Sequence, residues 1–386
     1  MPVLILFVFL LFSAGCTAVD PETAPLVLKP ADFRSLPGWT EDDHAQALAA
    51  FERSCARIMK RDPAGAFGPD GIGGAYGPWQ DICRAIPAVN PDQARTFFET
   101  HFRPWRATMA GKRDEGLFTG YYEPTLNGAT TRHGPYQTPL YARPDDLVMV
   151  DLGLFRDSLK GQRIAGRVEG AHLKPYEDRA AIAAGNWPNG DKVLAWVDDP
   201  VGAFFLHVQG SGRINLADGR VMRVGYDGQN GHPYFAIGRE LIARGDIPKE
   251  EVSLQTIRAW LAAHPEQAQD LMNLNPSYVF FRELTGAGPL GGEGVALTPE
   301  RSLAIDRGKI PYGVPVWLDL EPPVAKEPPV QSLMIAQDTG GAIRGAVRGD
   351  VFWGAGPRAE YLAGYMKAPG KMWLLLPKNE TPGTGF

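Results

Sequence analysis

Beyond Gly116 the chain breaks into short apolar runs separated by glycine and proline, and this punctuation limits the possible folds more than any other feature. With 45 glycines and 34 prolines in 386 residues, the pattern favours short strands that turn often over a helix bundle. Hydrophobic residues make up 44% and charged residues 22%, enough apolar material for a buried core, which excludes a disordered chain and a coiled coil. The length fits one to three domains. Lys and Arg number 39 against 44 Asp and Glu, a net charge of −5 with no basic block. Binding to nucleic acid through phosphate neutralisation is therefore disfavoured.

The N-terminus reads as a targeting segment. Met1 to Phe12 is an almost unbroken apolar run, too short to span a bilayer as a helix and suited to a secretory signal. Ser13, Ala14 and Gly15 lead into Cys16, a small-residue approach to a cysteine that resembles a bacterial lipoprotein signal. Ser13 stands where such signals usually carry Leu, and no Lys or Arg precedes the run. Cys55 and Cys83 are the other cysteines, and either a disulfide between them or two buried thiols fits the sequence. The seven histidines are scattered and no Cys or His spacing reads as a metal site, so neither metal nor cofactor is expected.

After a proline-rich lead-in over 17–38, Thr40 and Asp43 predict a helix start, with Leu48, Phe51, Cys55 and Ile58 on one face. Trp79 to Ile86 reads as a second helix, and Asn90-Pro91 opens a third that runs towards Phe102. Val193–Val197 and Ala203–Val208 read as strands, and Ile214–Val224 as a hairpin turning near Asp218-Gly219. Helices are expected over Tyr234–Ala243 and Glu250–His264. Strands are expected at Val314–Leu318, Leu333–Ala336, Ala342–Val347 and Met372–Leu376, with a proline-rich loop over 321–331.

Two motifs fail on inspection. Gly286-Ala-Gly-Pro-Leu-Gly291 has the glycine spacing of a dinucleotide loop, but no strand enters it and Pro289 interrupts it. Gln209-Gly-Ser-Gly212 lacks the first glycine of a nucleophile elbow. The segment 336–356, AQDTGGAIRGAVRGDVFWGAG, is more informative. It sets Asp338 at the end of an apolar strand and Asp350 directly before Val351-Phe352-Trp353, with Asp306 upstream. A carboxyl beside apolar groups and near a second carboxylate has a raised pKa and suits acid–base work. Spacing alone leaves a second reading open, in which all three aspartates only shape turns.

The three aspartates, with Asp338 in DTGGAIRG, resemble the three-aspartate domain of the membrane-bound lytic murein transglycosylase A family. Phe118–Pro124 (FTGYYEP), Tyr136–Tyr141, His207–Arg213 (HVQGSGR), Asn275–Tyr278 and Gly288–Val295 extend the resemblance, which covers roughly 116–377. It implies a mainly β fold with flanking helices. A double-psi β-barrel would form from 39–124 and 276–378, with the three-aspartate motif over 300–356. A smaller β-barrel would be inserted over 125–275, the substrate groove would lie between the two, and 379–386 would be a tail.

The resemblance also implies cleavage of the β-1,4 bond between N-acetylmuramic acid and N-acetylglucosamine in peptidoglycan, with formation of a 1,6-anhydro sugar. Asp350 would act as acid and then base, with Asp338 and Asp306 in support. Thr119, Tyr121, Tyr122, Gln209 and Ser211 would hydrogen-bond the sugars, and the tyrosines and Trp353 would stack on them. The expected partners are glycan strands and, through an acylated Cys16, the outer-membrane lipid on the periplasmic side. A lysozyme-type hydrolase, an expansin-like binding module and a structural lipoprotein are the competing readings.

Overall fold

The computed structural model describes residues 23–109, 114–159, 162–286 and 288–380. The expected signal over 1–16, Cys16 with its lipid, and the tail beyond Glu380 lie outside the described residues.

The described chain opens with β1 (Leu26–Pro30), three helices, α1 (His44–Ile58), α2 (Tyr76–Ala85) and α3 (Ala94–His101), and two strands, β2 (Phe102–Met109) and β3 (Gly116–Glu123). A middle stretch follows: β4 (Thr125–Ala129), β5 (Thr138–Tyr141), β6 (Val148–Asp151), β7 (Arg163–Glu169), β8 (His172–Pro175), α4 (Arg179–Ala183) and β9 (Val193–Val197). It continues through α5 (Pro200–Gln209), β10 (Ser211–Leu216), β11 (Val221–Gln229), α6 (Ile237–Arg244), α7 (Leu254–Ala263), α8 (Pro265–Asn273) and β12 (Val279–Glu283). The last part is β13 (Ser302–Ile305), β14 (Pro315–Leu320), β15 (Val330–Asp338), β16 (Arg348–Ala355), α9 (Pro357–Tyr365) and β17 (Ala368–Pro377).

Six of these strands close on themselves. The ring runs β17-β14-β15-β13-β16-β3 and returns from β3 to β17 through Ala368–Phe118, Pro369–Leu117 and Gly370–Gly116. Within it β13 and β15 are parallel, as are β16 and β3, and the remaining pairs are antiparallel. Closure removes the free strand edges that would otherwise invite aggregation. β2 and β1 continue the sheet outward from β17. The helices α1 to α3 cover one side, where Ala47, Ala50, Phe51 and Ile58 of α1 join the same core as Trp317, Leu333 and Leu374.

The middle stretch has its own sheet, β12-β11-β10-β4-β9-β5, and a bridge between Ala142 and Phe281 brings its two ends together. It has a separate core around Leu140, Val197, Leu206, Ile214 and Phe281. This sheet extends to Glu283, beyond the boundary at Asn275 expected from the sequence. A small three-stranded sheet, β6-β7-β8, lies beside it.

Several expectations need correction. Helix α1 starts at His44 and is capped by the Asp43 carboxyl, which accepts from the Gln46 N–H; Thr40 lies outside it. Ala203–Val208 is not a strand but the body of α5. The run has buried residues on every side, so no polar alternation marks its period; Pro200 at its first turn and left-handed Gly210 at its end are the signals that decide. Ala342–Val347 is loop, because Gly345 turns the backbone at φ +115° and the strand begins only at Arg348. Helices α8 and α9 were not anticipated; each opens with a proline at its first position.

Candidate active site

Four residues lie in one row across the ring. Thr119 on β3 pairs with Asp350 on β16, Asp350 pairs with Ala304 on β13, and Ala304 pairs with Asp338 on β15. A bulge shifts the β13–β15 register just before Ala304, but Tyr121, on the same face of β3 as Thr119, donates to Asp338 while Thr119 donates to Asp350, so the two aspartates stand on one surface. The next row up places Tyr121 beside Phe352, with ring centroids 5.1 Å apart.

Asp350 accepts a hydrogen bond from the Thr119 hydroxyl at 2.7 Å. Arg348, two residues earlier on the same face, donates to that hydroxyl oxygen at 2.9 Å. Burial pushes the Asp350 pKa up to about 6; the Arg348 charge and the Thr119 bond oppose this, while the Asp338 charge adds to it. The cationic neighbour therefore tempers the burial without cancelling it. Burial in turn weakens Arg348's hold on its proton, against the attraction of Asp350.

Asp338 is held on both oxygens. Its Oδ1 accepts from the backbone N–H groups of Gly292 and Thr339, each at 2.8 Å, and its Oδ2 accepts from the Tyr121 hydroxyl at 2.7 Å. Burial still raises its pKa over the opposing effect of these bonds. Tyr312 stands close by, its hydroxyl pushed up to about 12 by burial and by Asp338. Arg163 on β7 also acts on Tyr312, so the three-stranded sheet reaches into electrostatic range of this face.

Asp306 is placed differently. Its carboxylate accepts from Gly308 N–H at 3.0 Å and Gly345 N–H at 2.9 Å, with Arg344 at 3.9 Å. It fastens the loop that feeds β16 and takes no place in the row.

The sequence candidates divide accordingly. Thr119, Tyr121, Asp338 and Asp350 come together on one face. Tyr122 and Trp353 fall on the other face of their strands, buried in the core with Leu362 and Ala363 of α9. This is the strand alternation at work, and it removes both from the face that carries Asp350. Gly120 is required between them, because a Cβ there would lie 2.5 Å from the Trp353 indole nitrogen. Gln209, at the end of α5, accepts the Tyr122 backbone N–H at 3.1 Å and ties the middle stretch to β3. Ser211 is buried at the start of β10 opposite Gly225. Arg348 and Tyr312 were not anticipated; strand alternation from Asp350 was enough to find Arg348. Among the described residues no group of three or more His, Cys, Asp or Glu side chains stands ready for a metal ion.

A family model for the MltA specific insert domain matches 117–282, and one for the 3D domain matches 301–376. The membrane-bound lytic murein transglycosylase A of Escherichia coli K12 is 34% identical over 291 residues, 73% of this chain and 70% of that protein. The chain belongs to the membrane-bound lytic murein transglycosylase A family. The Vibrio cholerae protein of the same name is 30% identical over 70% of this chain and 68% of its own length. Among solved structures, that of the Agrobacterium tumefaciens membrane-bound lytic murein transglycosylase superposes with a TM-score of 0.80 at 33% identity, covering 91% of this chain and 98% of that one. Neisseria gonorrhoeae MltA gives 0.79 at 35% identity, covering 95% and 98%. Escherichia coli MltA with bound chitohexaose gives 0.65 at 26% identity, covering 92% and 95%. The insert match ends with β12 but begins inside β3, a strand of the ring, and the 3D match holds both row aspartates.

Proposed function

We propose that this chain is a lytic transglycosylase. It cleaves the β-1,4 bond between N-acetylmuramic acid and N-acetylglucosamine in peptidoglycan and leaves a 1,6-anhydromuramic end. The observation that carries the reading is Asp350 itself, a buried carboxyl with its pKa raised to about 6, on the same face as a second, firmly held carboxyl.

Protonated Asp350 donates to the bridging oxygen as the C1–O bond breaks, and the N-acetylglucosamine leaves with its 4-hydroxyl restored. The 6-hydroxyl oxygen of the same muramic acid attacks C1 and closes the anhydro ring. Its proton passes to the Asp350 carboxylate, which regenerates the acid, so protons balance and no water is consumed. A glycosidase that hydrolyses needs a second carboxyl as nucleophile or base; here the substrate hydroxyl takes that place. Asp338 supplies the negative charge that helps keep Asp350 protonated, Tyr121 and Thr119 orient the pair, and Asp306 holds the loop before β16.

The closed ring of six strands supports a double-psi barrel built from 39–124 and the segment after β12, with the smaller barrel inserted between. The influence of Arg163 on Tyr312 supports a substrate groove between the two units. The chitohexaose held by a relative supports a glycan strand as its occupant. Gln209, which accepts the Tyr122 N–H of β3, and Ser211 are the insert residues taken to hydrogen-bond the sugars. Anchorage in the outer membrane through acylated Cys16, with the enzyme in the periplasm, completes the reading. Replacing Cys16→Ser then moves the protein from the membrane to the soluble fraction; unchanged membrane association overturns the anchor.

Mass spectrometry of fragments from purified cell wall tests the reaction. Anhydro ends are expected. Reducing ends mean a lysozyme-type hydrolase, and no cleavage means a binding module.

A further inference from the structure

Asp338 owes one of its three hydrogen bonds to the loop around Gly292, and that loop is tethered in turn. Glu293, the next residue, is 9% exposed. Its N–H donates to Gln337 O at 3.1 Å, and its Oε2 accepts from the Ser54 hydroxyl of α1 at 2.7 Å. Ser54 Oγ also accepts from Gln337 Nε2 at 2.9 Å. Gln337 is the residue directly before Asp338. It is wholly buried, and it further bonds Ala50 O at 2.8 Å and Ser302 Oγ at 2.6 Å. A closed circuit therefore runs from Asp338 through Gly292, Glu293, Ser54 and Gln337 back to Asp338.

We propose that Glu293 is a positioning residue: its bond to Ser54 fixes the loop that offers the Gly292 N–H to Asp338, and so sets how Asp338 faces Asp350. This rests on the transglycosylase reading and names a further residue for the same site. Burial supports it. The Glu293 carboxyl is pushed up to about 7 against the Ser54 bond and the charge of Arg57, so its ionised form is costly to bury. If packing were its only task, an apolar side chain would serve better. The charged and titratable groups around the loop are Arg57 and Arg53 of α1, the latter bonded to Ala296 O, with Tyr312 and Asp338 on the other side.

The test uses the full chain on purified cell wall, with anhydro ends counted across pH. Glu293→Ala is expected to lower kcat about tenfold with KM within about twofold, since a small displacement of a catalytic group has effects of this size. It should also lower the midpoint of the alkaline limb, because a released Asp338 supports the Asp350 proton less. Glu293→Gln keeps an acceptor for Ser54 and is expected to restore both. Ser54→Ala removes the same bond from the helix side, together with the bond from Gln337, and should repeat the limb shift even if Glu293→Ala fails to fold. An unmoved limb in both Glu293→Ala and Ser54→Ala overturns the proposal, as does Glu293→Gln behaving like Glu293→Ala. Absence of anhydro ends from the unaltered protein would overturn the transglycosylase reading instead.

Discussion

Asp350 sets a stability cost against the acid–base use proposed for it. Its folded pKa of about 6 lies above the ordinary value near 4, so the folded state holds this proton more tightly than the unfolded chain does. The destabilisation is absent below about pH 4, grows between 4 and 6, and is complete above 6. Asp350→Asn removes the ionised form and is expected to raise stability at pH 7 by about 1–3 kcal/mol, with little change at pH 4. Cleavage should fall by about a thousandfold, within the range of lost acid–base catalysis. Thermal melts at the two pH values, read beside an assay of anhydro ends, check both. A melting point that drops at pH 7 would mean the carboxylate is stabilising there. The raised pKa of Asp350 was legible in the sequence because three apolar and aromatic residues follow it directly. Tyr122 and Trp353 were misplaced for the opposite reason: an aromatic on a short strand looks the same whichever face it takes, and only pairing partners decide.

At the scale of elements, the legible parts were those with local markers. The hairpin of β10 and β11 turns at its Asp218-Gly219 pair, whereas α7 starts at Leu254 behind a Ser253 cap, four residues after the expected start at Glu250. Helix α5 was hidden because its sides are alike, and the loop at 342–347 because its glycine turn is fixed from outside by Asp306. The cysteines left two readings, and the structure joins Cys55 of α1 to Cys83 of α2 across a separation of 28 residues. A loop of that length gives the cross-link about 3–4 kcal/mol in the chain-entropy view. The double replacement Cys55→Ser, Cys83→Ser should lower the melting point by several degrees and leave activity at 25 °C near that of the parent, since both cysteines belong to the covering helices and not to the strands that carry Asp350. Differential scanning calorimetry with and without reductant checks this; an unchanged melting point would contradict it.

At the scale of the whole molecule, the closed six-stranded ring and the inserted sheet meet where β3 becomes β4. There Glu123, 1% exposed, accepts from Arg213 of β10 at 2.8 Å and faces Arg223 of β11 at 3.5 Å. A carboxylate this deep is costly alone and holds only with its partners, so it fixes the insert against the ring. Glu123→Ala should destabilise by about 3 kcal/mol and raise KM more than it lowers kcat, and limited proteolysis should cut first within 125–283. No local pattern marks such a junction; it depends on residues far apart in the chain. The most direct measure of the whole account is the pH dependence of anhydro-end formation by the intact chain and by Asp338→Asn. Activity should decline through about pH 6 in the parent, and at lower pH in the variant, because one negative charge no longer supports the Asp350 proton. A decline at the same pH in both, or none up to pH 8, would contradict it.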